Sequence, residues 1–154
     1  NNPDVGTATT IKLKNITVSG LEQNMLAQLA ETILPKTKNF IGSGDLKSHE
    51  FLLTMIDDCT SPEDQKKFTI GLKAFETTCN KKFGTSFVKY TAGQRSTLLN
   101  ELEANKDEND LVAGFYKTTK RYVVQSFTSS KQYMMDVRKY NMVPGPIYKG
   151  CVKV

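Results

Sequence analysis

The sequence predicts an all-α fold, a bundle of five or six helices with an irregular, Pro/Gly-rich C-terminal tail. Three observations carry that expectation. Apolar residues recur at three- and four-residue spacing in successive segments. Those segments open on Ser, Thr or Asp caps and close at Gly or Pro. Strand signals are weak throughout.

Residues 1–18 are polar and rich in Thr and Asn, and read as a flexible or loosely docked leader with a short extended piece around Ile11, Ile16 and Val18. Residues 19–154 read as one helical domain that includes the tail. In the first helix, Ser19 and Glu22 form a capping-box pattern. Leu21, Leu26, Met25, Leu29, Ala30 and Ile33 supply its apolar stripe, and Pro35 ends it. Lys36 to Gly44 is a loop. Asp45 caps a second helix running to about Cys59, with Phe51, Leu52, Met55 and Ile56 inward.

Ser61-Pro62-Glu63-Asp64 is a strong helix start: a cap, a proline in the first turn, and acids at the positive helix end. Phe68, Leu72, Phe75, Cys79 and Phe83 give that third helix its core face, and Gly84 its stop. Thr91 and Gln94 open a fourth helix, with Leu98, Leu99 and Leu102 inward. A charged loop, Asn105 to Asp110, leads to a fifth helix, which should bury Leu111, Phe115, Tyr122, Val123 and Phe127. A short sixth helix fits Ser130 to Val137. From Tyr140 to Cys151 there is too much Pro and Gly for a helix, and this tail should wrap the bundle or meet a partner.

At 154 residues the chain fits one domain with a core of its own. No apolar run approaches the roughly 18 residues of a membrane span. The net charge of +5 is unevenly placed: residues 117–154 hold eight Lys and Arg against one acid, Asp136. Such a basic quarter is either a solvated face or a contact for nucleic acid, anionic lipid or an acidic protein surface. The chain opens Asn1-Asn2-Pro3-Asp4 and reads as a mature or trimmed product.

Catalytic patterns are absent. His49 is the single histidine, expected on the outer side of its helix, and one histidine makes no multi-histidine metal site. Ile41-Gly-Ser-Gly44 lacks the Lys-Ser/Thr of a phosphate loop. The basic, Tyr-containing stretch Tyr116 to Tyr122 comes with no nucleic-acid motif. Asp57-Asp58-Cys59 gathers two acids and a thiol at a helix end, which suits solvent or a cationic partner. Cys79 lies on an apolar stripe and reads as an inert buried thiol. Cys59 and Cys151 remain as the candidate disulfide pair, with Cys151 bonding a partner chain as the alternative.

Four blocks in order resemble the gluconate 2-dehydrogenase subunit 3 family. They are Leu26-Ala-Gln-Leu-Ala-Glu-Thr-Ile-Leu-Pro35; Phe68 to Phe75 with Lys82-Phe83-Gly84 and Ser86-Phe87; Thr91-Ala-Gly-Gln-Arg95 with Leu98-Leu99; and Tyr140 with Pro144-Gly145-Pro146 and Gly150-Cys151. The loop Lys36 to Gly44 departs from the family pattern, and no twin-arginine segment is present. The resemblance implies a non-catalytic accessory subunit of an FAD-dependent sugar, sugar-acid or polyol dehydrogenase. FAD would sit in the large subunit, and electrons would leave through a cytochrome c subunit. It also implies twin-arginine export to the periplasm or cell envelope, with the small subunit aiding the large one's stability or export. No catalytic, cofactor-binding or metal-ligating residue is carried over. Tyr140, Pro144, Gly145, Tyr148 and Cys151 are the expected partner-binding residues. The alternative is a free-standing cell-envelope binding module with no enzyme partner.

Overall fold

The computed structural model describes residues 11–107 and 109–140, and every regular element among them is helical. Helix α1 (Gly20–Ile33) starts at its expected box. The Ser19 hydroxyl accepts from the Glu22 N–H at 3.3 Å, and the Glu22 carboxylate accepts from the Ser19 N–H at 2.7 Å. Such a cap contributes about 1 kcal/mol. Met25, Leu26, Leu29 and Ala30 are buried as expected. Leu21 is not: it is 82% exposed. The reason is Gln23, two residues on and so about 200° around the helix. Gln23 turns inward and binds the Ile11 N–H, the Ile11 carbonyl and the Val18 carbonyl. Leu21 is thereby left facing solvent.

Residues 11–18 are accordingly not a loose leader. They form an irregular strap, bent at Lys14 and Asn15, that buries Ile16 and Val18 in the core.

The expected second helix is broken. A single turn, α2 (Ser43–Leu46), stops at Lys47, whose φ of 50° is left-handed, and α3 (Ser48–Cys59) begins beyond it. The Asp45 carboxylate accepts from the Gly42 N–H instead of starting the long helix. Helix α3 is enclosed from several sides by α1, α4 and α6. His49 is therefore buried rather than outward.

Helix α4 (Pro62–Phe83) has Ser61 as its cap and ends at Gly84, with φ 66°. A one-turn 3-10 segment, Phe87–Lys89, leads to α5 (Ala92–Ala104), which opens on the expected Thr91–Gln94 box. Asp110 caps α6 (Leu111–Thr128) by accepting from the Val112 and Ala113 N–H groups. Leu111, at the first position of α6, is half exposed rather than buried, and Phe127 is only partly buried. A five-residue π-helical turn, Tyr133–Val137, occupies most of the expected sixth helix.

The core centres on the crossing of α4 and α6. Phe115 stacks tilted against Phe68 and Phe75 at 5.2 and 5.4 Å, and Phe75 meets Phe87 at 5.4 Å. The backbones approach closely at Gly71. A Cβ there would sit 2.7 Å from the Phe115 Cβ and 2.9 Å from the Leu111 carbonyl oxygen. Arg95 ties α5 to α1 and to the 3-10 turn, donating to Gln28, Thr32 and the Val88 carbonyl while lying over the Phe87 ring. Tyr116 and Lys120 of α6 share the Glu103 carboxylate of α5. No helix among the described residues is long and apolar enough to cross a membrane.

Candidate functional site

Tyr140 falls within the described residues; Pro144, Gly145, Tyr148 and Cys151 lie outside them. Tyr140 is 52% exposed, and its N–H donates to the Met134 carbonyl at 2.9 Å. Beside it in the same short segment, Met135 and Val137 are 53% and 46% exposed.

This segment is fixed to the bundle and to the loop after α1. The Gln132 side chain accepts from the Ile41 N–H at 3.0 Å and donates to the Asn39 carbonyl at 3.1 Å. The Phe127 ring meets Phe40 edge-on at 5.8 Å and Tyr133 at 5.3 Å. The loop around Phe40 and the segment 130–140 are thus one surface. Lys38, Lys131, Arg138 and Lys139 are exposed on these two segments, and none pairs with a carboxylate among the described residues. Phe40, Met135, Val137 and Gln132 were missed in the sequence. The available signal was a pair of exposed apolar residues inside the basic run 131–139.

The Asp57-Asp58-Cys59 cluster divides. Asp58 meets Lys14 at the surface, at 3.4 Å. Asp57 is only 4% exposed and holds the strap. Its two oxygens accept from the Lys14, Asn15 and Ile16 N–H groups at 2.7, 2.7 and 2.9 Å. The Asn15 side chain donates back to the Asp57 carbonyl at 2.8 Å, and Gln65 donates to it at 2.9 Å. Asp57 is therefore a structural clamp, neither solvated nor kept for a cationic partner.

His49 has its Nε2 buried without a hydrogen-bond partner. Burial lowers its pKa, with Glu50 opposing the shift and Lys47 reinforcing it, so the neutral ring is favoured.

A cavity of about 510 Å³ opens between the starts of α4 and α6, floored by Phe68 and Phe115. The two carboxylates on its rim are engaged: Ser61 donates to Asp64 at 2.9 Å and Asn105 to Asp110 at 2.6 Å. No group of three or more His, Cys, Asp or Glu side chains is placed to hold a metal among the described residues.

The two described thiols differ sharply. Cys59 is exposed at the end of α3, whereas Cys79 is buried beneath Tyr90, and burial pushes its thiol up to about 11. Iodoacetamide at pH 8 is expected to alkylate Cys59 in the reduced native protein and to reach Cys79 only after denaturation. Peptide mass spectrometry reads this directly, and native labelling of Cys79 would contradict its placement in the core. Run without reductant, the same experiment tests the Cys59–Cys151 pair: a protected Cys59 is the outcome a disulfide requires.

The family model of gluconate 2-dehydrogenase subunit 3 matches residues 21–145. The chain belongs to this family. No curated protein and no solved structure matches it. The family span of this gluconate 2-dehydrogenase subunit 3 chain takes in the six α-helices among the described residues, but for the first residue of α1, together with the Phe40 loop and the 130–140 segment. It leaves out the strap of residues 11–18, although that strap is docked on the core.

Proposed function

We propose that this chain is a non-catalytic accessory subunit that binds the FAD-containing large subunit of a sugar, sugar-acid or polyol dehydrogenase. The observation that carries the reading is the family match over residues 21–145. The large subunit supplies the flavin and the oxidation chemistry, and a cytochrome c subunit takes the electrons. This chain contributes binding surface and stabilises the flavoprotein or assists its export to the periplasm or cell envelope. Tyr140, Pro144, Gly145, Tyr148 and Cys151 belong to the contact, since tyrosine and other large, rigid side chains give contact area at low entropic cost.

Purification of the tagged chain from its native host tests the reading. A flavoprotein with sugar- or polyol-oxidising activity is expected to co-purify, and deleting the chain should lower the recovery of that flavoprotein. Recovery of the chain alone, with flavoprotein levels unchanged on deletion, would count decisively against it.

A further inference from the structure

We infer that the surface formed by the Phe40 loop and residues 130–140 is the dock for an acid-rimmed apolar patch on the flavoprotein subunit. The inference rests on the accessory-subunit reading and assigns a place on the fold to its contact.

Three features of this surface converge. It is apolar in part: Phe40, Met135, Val137 and Tyr140, carried on the two joined segments, all keep a substantial part of their side chains in solvent. Protein interfaces enrich such side chains, aromatics and Met above all, together with Arg. It has a cationic margin: Lys38, Lys131, Arg138 and Lys139 stand against the single acid Asp136. An unmatched margin of one sign selects a partner surface of the opposite sign and speeds encounter with it. It is also held ready. The two-way Gln132 bridge and the Phe40–Phe127–Tyr133 ring contacts fix loop and segment together before any partner arrives. Pre-organisation of that kind removes part of the ordering cost of binding.

An anionic bilayer would satisfy the charges but not the shape. Interfacial membrane binding uses an amphipathic helix of several turns with one broad apolar face. This surface is a five-residue π-turn beside an irregular loop. A protein partner is the occupant the geometry favours.

The test uses the full chain and the purified FAD-loaded large subunit, with binding followed by interferometry at low and high salt. Met135→Asp with Tyr140→Asp, and separately Arg138→Glu with Lys139→Glu, are expected to weaken binding at least tenfold while leaving the unfolding midpoint unchanged. The wild-type complex should weaken as salt rises. Leu21→Asp, at a still more exposed apolar site at the start of α1, should bind as wild type. Wild-type affinity in both double variants overturns this assignment and leaves the accessory-subunit reading standing. Absence of a wild-type complex overturns both. Binding to phosphatidylglycerol vesicles that the same double variants abolish, with flavoprotein binding intact, overturns the protein partner in favour of a lipid surface. A rise in dye-accessible apolar surface at this face on deleting residues 141–154 would make the chain's own tail the occupant, and would also overturn it.

Discussion

Replacing Asp57 with alanine is expected to lower the unfolding free energy by about 3–5 kcal/mol, because it leaves three backbone donors and the strap behind them without an acceptor. Hydrogen bonds to a charged acceptor are worth roughly 1.5–3 kcal/mol each, and unpaired buried donors add a desolvation penalty. Urea unfolding measures the loss. Amide exchange at Lys14, Asn15 and Ile16 locates it, since those three N–H groups are the ones the carboxylate holds. Asp57→Asn should fall between the two. One amide oxygen can still accept, but the amide nitrogen is a donor facing a donor. Unchanged exchange in the alanine variant would show that the carboxylate does not hold the strap.

The same residue sets an acid limit. Burial pushes the Asp57 carboxyl up, but the three N–H donors and the nearby Lys14 charge outweigh it, so its pKa lies below the ordinary value. A lowered folded pKa means the contribution is whole above the unfolded value, about 3.9, and is lost as pH falls through the folded one. His49 acts earlier. Its folded pKa is lowered by burial, so the unfolded chain takes up a proton first and stability declines once pH drops below about 6.5. Stability against pH should therefore fall in two acid stages, with Asp57→Ala reducing the lower one, to which Asp45 and Glu103, held below the ordinary carboxylate value by Lys36 and Lys120, also contribute.

Gly71→Val should cost about 2–3 kcal/mol. The added Cβ would fall 2.7 Å from the Phe115 Cβ and 2.9 Å from a backbone carbonyl, so α4 and α6 must move apart. A valine gains some helix propensity over glycine, under about 1 kcal/mol, and the steric term exceeds it. Gly114→Ala is the control: a Cβ there meets nothing within 4 Å, so the propensity gain should appear as a small stabilisation. A Gly71→Val protein as stable as wild type would refute the close crossing.

What the sequence disclosed was local. Ser19 with Glu22, Thr91 with Gln94, and Ser61 with Pro62 are signals contained within a few residues, and each helix begins where they stand. The core stripes of α4 and α5 follow from spacing alone. The failures were long-range. Asp57 reads as a solvated helix-end acid because its partners lie 41 to 43 residues upstream. His49 reads as outward because a one-sided apolar stripe says nothing of a helix enclosed from several sides. The break at Lys47 leaves no sequence mark, since a lysine has no special preference for a left-handed backbone. Half of the candidate dock was legible as a basic run ending in Tyr140. The other half, the Phe40 loop, joins it through the Gln132 bonds to Asn39 and Ile41 and the Phe40–Phe127 ring contact.

The strap also imposes an order of events on a growing chain. Residues 11–18 are synthesised well before the helix that anchors them, and the loop that brings Lys14 to Asp57 spans 43 residues. Closing a loop of that size costs entropy that only a formed α3 can repay. During synthesis the Lys14, Asn15 and Ile16 N–H groups must therefore wait for their acceptor until α3 is complete. Its docking on Asp57 is a late step that reports on the helices behind it.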